Sequence, residues 1–143
     1  MRKVISMFGY LSFFGFLFAF AAQPIWAQVD PTKVLIGAWE GWVEGIPSPQ
    51  ERWLVIRSVK PKEGGGWIAD GRYGYTAEKG ARHEINVSTQ GSDTILEFSS
   101  AEKNPVRLKL VGDTKLEGTA NFVTSGRTTN RSVKFEKKPT KAE

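Results

Sequence analysis

The chain has 143 residues, with 20 Lys and Arg against 15 Asp and Glu for a formal net charge of +5, one histidine and no cysteine. Without cysteine there can be no disulfide, thiolate zinc site or S-acyl anchor. A single histidine removes the two-histidine metal centres, so neither metal nor cofactor is expected. No stretch is basic enough to track a polyanion, and nucleic acid is not expected as a partner.

Met1-Arg2-Lys3 is a short basic start, followed by the uncharged apolar run Val4 to Ala22 and by Gln23-Pro24-Ile25-Trp26-Ala27. Positive charge, an apolar core and a small-residue site make the pattern of a secretory signal peptide, residues 1–27, cleaved after Ala27. Residues 28–143 are then a single periplasmic or secreted domain. The 19 uncharged residues also reach the ~18 at which a spanning helix can form, so a retained membrane anchor is the alternative. Loss of Arg2 and Lys3 leaves 18 basic against 15 acidic residues, a net of +3. Lys134, Lys137, Lys138 and Lys141 read as a short, solvated basic tail. With no disulfide, burial alone must hold the domain together, and a chain of this size removes roughly two-thirds of its unfolded surface from water.

Past Asp30-Pro31 the pattern has period two, broken by turn residues. A single helical turn is conceivable at Gln28 to Lys33. Leu35 to Ile46 is the first predicted strand, ended by Pro47-Ser48-Pro49, and Arg52 to Val59 is the second. Gly64-Gly65-Gly66 turns the chain into Trp67 to Thr76. Arg82 to Thr89 and Thr94 to Ser99 flank a hairpin at Gln90-Gly91-Ser92-Asp93. Val106 to Val111, Lys115 to Thr124 and Thr129 to Lys137 complete eight. Leu96 and Phe98 share a face, as do Val106, Leu108 and Leu110, then Leu116, Ala120 and Phe122, then Val133 and Phe135. Their neighbours are Glu97, Arg107, Lys109, Glu117, Asn121 and Lys134. An apolar face backed by a wet one is what an antiparallel sheet with one buried side requires. The predicted fold is all-β, an eight-stranded antiparallel up-and-down barrel, because closure removes exposed edges; a β-sandwich is the alternative.

The first strand places Gly37, Trp39, Gly41, Val43 and Gly45 on one face. Glycines beside an inward Trp leave room for an indole across the floor of a small barrel. With Gly37-Ala38-Trp39 the chain resembles the calycin group, the lipocalin-like barrels, whose first strand bears Gly-x-Trp. The resemblance implies that an Arg of the last strand packs on that Trp. Arg131, in phase with Val133 and Phe135, is the matching position, with Arg127 second.

Candidate chemistry is sparse. His83 reads as a surface histidine, and no Gly-x-Ser-x-Gly elbow supports a triad. Glu40 and Glu44 flank Trp42, but four strand residues span roughly 13 Å at ~3.3 Å each, more than the ~5–9.5 Å of a glycosidase pair. The triple glycine lacks the Lys-Ser/Thr of a phosphate loop. Turnover is therefore not expected. Tyr73 and Tyr75 share a face with Trp67 on a strand that also carries Ala69 and Gly71. Small residues alternating with aromatics can leave space at a barrel mouth. Tyr73, Tyr75, Phe122 and Trp67 are the candidate binding residues for a small apolar or amphipathic ligand. The alternatives are a protein partner, as in periplasmic protease inhibitors built on small barrels, and a glycan-binding or structural envelope domain using Trp42 or Trp53.

Overall fold

A computed structural model describes residues 30–139; the expected signal segment 1–27 with its cleavage site, and Lys141 of the expected basic tail, lie outside them. The first element is one helical turn, α1 (Pro31–Val34). Asp30 caps it by accepting from the backbone N–H of Thr32 at 3.0 Å, and Pro31 occupies the first helical position, where its missing N–H costs nothing. Eight strands follow: β1 (Gly37–Val43), β2 (Glu51–Pro61), β3 (Trp67–Gly74), β4 (Ala81–Gln90), β5 (Asp93–Ser99), β6 (Pro105–Val111), β7 (Lys115–Thr124) and β8 (Arg127–Lys137). Each pairs antiparallel with the next, and β8 returns to β1 with Trp39 opposite Lys137 and Val43 opposite Val133. The sheet therefore closes as an up-and-down barrel. That excludes the sandwich, which would leave β1 and β8 in separate sheets or at free edges.

Alternation fills the interior. Trp39, Leu54, Ile56, Ala69, Ile85, Leu96, Leu108, Leu116, Val133 and Phe135 are all buried. Gly41 sits opposite Phe135 and carries no side chain because that ring lies flat across it. β2 contains an irregularity that simple alternation does not foresee. The register with β3 shifts between Ile56 and Ser58, a bulge at Arg57 that lets Ile56 and Val59, three residues apart, both turn inward. The outer wall carries ion pairs, among them Asp70–Arg82, Glu97–Arg107, Asp93–Lys109, Glu44–Lys134 and Glu40–Lys138. A charged outside over an apolar inside is the reverse of a barrel that spans a bilayer. No helix among the described residues is long and apolar enough to cross a membrane.

The two barrel ends differ. One holds α1 and the turns 62–66, 91–92 and 112–114. Leu35 is buried there and its carbonyl accepts from the Trp39 indole Nε1 at 2.9 Å. The cation over the Trp39 ring is Lys137, with Nζ 5.3 Å from the ring centre, and the same ammonium donates to the Val34 carbonyl. The expectation that Arg131 covers Trp39 is thereby corrected. The β1–β8 register sets Lys137 opposite Trp39, and Arg131 lies six residues, roughly 20 Å, further along β8. Its guanidinium rests against Gly45 instead. Helix, indole and lysine together plug this end.

Candidate functional site

The opposite end carries the connections 44–50, 75–80, 100–104 and 125–126, and the polar inward side chains gather there. Alternation along β2 turns Arg52 inward in phase with Leu54 and Ile56. Arg52 is only 6% exposed, and its Nη1 donates to the Pro49 and Glu51 carbonyls, each at 2.8 Å. The guanidinium carbon lies 4.2 Å from the centre of the Tyr75 ring and 5.7 Å from that of Phe122. These contacts hold the cation under an aromatic rim and contribute about 0.5–2 kcal/mol. No carboxylate among the described residues pairs with it.

Tyr73 comes from β3, beside Leu54 in the sheet, and is 8% exposed. Its ring packs edge-on against Phe98 and Phe135, with centres 5.3 and 6.5 Å away. Its hydroxyl is buried with no hydrogen-bond partner. Burial pushes the phenol above its ordinary range, while the positive charge of Arg52 pulls it back. Arg52 is near enough to act through its charge, yet no bond of normal geometry joins the two groups. Two further side-chain nitrogens at this end are also unpaired, Arg131 Nε and His83 Nε2. His83 is not the surface residue expected from its place at a strand start. It is in phase with Ile85 and Val87, and its half-buried ring lies 5.5 Å from that of Phe98. Burial lowers its pKa, against a hydrogen bond with the Ser99 backbone that raises it.

Between these groups lies a cleft of about 110 Å³ whose lining includes Arg52, Tyr73, Tyr75, Asn104, Ala120 and Phe122. Sites that engulf a drug-sized ligand run to roughly 300–1,000 Å³. Only the end of a molecule, or one side chain, fits here. Three of the four residues expected to bind ligand therefore meet at one mouth: Tyr73 buried at its base, Tyr75 57% exposed on its rim, and Phe122 between them. Trp67 does not join them. It opens β3 at the plugged end, paired with Pro61 and Val87 and packed on the core. It lies six positions before Tyr73 along the strand, so sharing a face did not mean sharing an end. Trp42 is 54% exposed on the outer wall and Trp53 half-buried, with their indole N–H groups already given to Gln50 and Glu51.

Arg52 and Asn104 are among the lining residues that sequence reasoning missed. The signal for Arg52 was present, a cation in phase with two inward aliphatics at the first inward position of its strand. Asn104 lies in a loop, where alternation is silent. No group of three or more potential metal ligands occurs among the described residues. Comparisons with protein-family models, with curated proteins and with solved structures find no match to this chain.

Proposed function

We propose that this is an exported, non-enzymatic binding protein of lipocalin-like build that takes the end of a small apolar or amphipathic molecule at its open mouth. The observation that carries the reading is the meeting of Tyr73, Tyr75 and Phe122 around a cleft over an otherwise filled interior. A filled barrel does not swallow its ligand. It holds one end in the cleft and leaves the rest against Tyr75 and Val123, which are 57% and 52% exposed. Export rests on Arg2-Lys3 and the uncharged run that follows.

A protein partner is the second reading, favoured by those same exposed rim residues and by a cleft sized for one side chain. Calorimetry with a panel of medium-chain amphiphiles, on the wild type and on Tyr75→Ala, separates the two. Saturable binding that Tyr75→Ala weakens supports the ligand. A panel that produces no heat and no change in melting temperature rejects it in favour of the partner.

A further inference from the structure

The mouth holds a buried cation without a carboxylate and a buried hydroxyl without a hydrogen-bond partner. Arg52 donates through Nη1 to the Pro49 and Glu51 carbonyls and makes no ion pair among the described residues. The Tyr73 hydroxyl is buried and unpaired on the same cleft wall. An unpaired buried donor normally costs roughly 1–3 kcal/mol, and native interiors rarely retain one without a reason. Glu102 is the acid that lines the cleft, but it is exposed, takes a hydrogen bond from Asn104 Nδ2 at 3.4 Å, and makes no ion pair with Arg52. The guanidinium is thus nine-tenths buried, uncompensated by a carboxylate, and flanked by the faces of Tyr75 and Phe122.

We infer that the mouth is a carboxylate-binding subsite: Arg52 and the Tyr73 hydroxyl hold the acid group of an amphipathic monocarboxylate whose apolar tail lies against Tyr75 and Phe122. This inference rests on the ligand reading above and names its chemistry. A carboxylate supplies acceptors only, which is what the site lacks, and its planar pair of oxygens suits the fork of a guanidinium. A carboxyl group is also small enough for the volume. An ammonium headgroup would be repelled by Arg52. An alcohol would satisfy one donor and leave the charge unpaired.

The test compares octanoate, octanol and octylammonium by calorimetry at neutral pH on the wild type, Arg52→Met and Tyr73→Phe. Arg52→Met keeps an apolar stem under the aromatic rim, and Tyr73→Phe keeps the ring that packs on Phe98. Octanoate should bind best, octanol roughly ten- to a hundredfold more weakly, and octylammonium not at all. Both variants should weaken octanoate by about tenfold or more and leave octanol nearly unchanged. Tyr73→Phe should also melt at or above the wild-type temperature without ligand, since it removes an unsatisfied donor; a merely structural hydroxyl would not couple lost affinity to retained stability. Equal binding of octanoate and octanol, unaffected by Arg52→Met, overturns the carboxylate assignment but preserves a ligand at the mouth. Binding of none of the three overturns both.

Discussion

Replacing Gly41 by alanine sets two effects of opposite sign against each other. The backbone at Gly41 lies in a region open to any residue, so alanine should gain about 0.5–1 kcal/mol by reducing the freedom of the unfolded chain. Against this, the new Cβ would stand 2.5 and 2.6 Å from Cε1 and Cγ of Phe135 and closer still to Cδ1. Carbon atoms rest at about 3.5–4.0 Å, so the ring must retreat by about 1 Å. It has little room to do so. Phe135 is 1% exposed, packs edge-on against Tyr73, and is held by its register with both Gly41 and Leu116. Overpacking of this kind costs about 1–3 kcal/mol or more, which exceeds the entropic gain. Gly41→Ala should lose about 2 kcal/mol net, or roughly 8 °C in melting temperature for a domain of this size. Urea and thermal unfolding followed by circular dichroism measure it. Trimming the ring in Gly41→Ala/Phe135→Leu should recover part of the loss, giving a coupling energy of at least about 1 kcal/mol. A single variant as stable as the wild type, with no coupling in the cycle, would refute the placement of this ring.

Lys137→Met should lower stability by about 0.5–2 kcal/mol and alter Trp39 near-ultraviolet dichroism, whereas Arg131→Met should leave that signal untouched. Because burial lowers the His83 pKa, the unfolded chain binds the proton more readily. Stability from this group is full above the ordinary histidine value near 6.5 and declines as pH falls through it toward the lower folded value. His83→Gln should flatten that part of a stability-against-pH curve. Tyr73 is shifted the other way, so its contribution is intact below the ordinary tyrosine value near 10 and is lost as pH rises beyond it. Alkaline titration of absorbance should show one tyrosine ionising late, and Tyr73→Phe should remove that step.

Most of the barrel was legible because one physical rule repeats along it. Strands β3 to β7 carry an alternation between turn residues, interrupted in β5 where Thr94, Ile95 and Leu96 are all buried, and their limits fall within about two residues of the expected ones. The rule fails where geometry is not local. The bulge at Arg57 shifts phase without a sequence mark, because it answers the curvature of a closed sheet. The cation over Trp39 was misassigned since face, but not height along the barrel, can be read from period two. Arg131 and Lys137 share a face, and only the β1–β8 register decides between them. Trp67 was grouped with Tyr73 for the same reason. His83 was taken as exposed from its place at a strand start, although its phase with Ile85 and Val87 already pointed inward.

The measurement that bears most directly on the proposed mouth is a backbone and side-chain nuclear magnetic resonance titration with octanoate. Shifts should be confined to Arg52, Tyr73, Tyr75, Asn104 and Phe122, with Trp67 and the Trp39 indole unchanged at the plugged end. Saturating shifts centred on Trp67 or scattered over the outer wall, or no shifts at any concentration short of micelles, would contradict it.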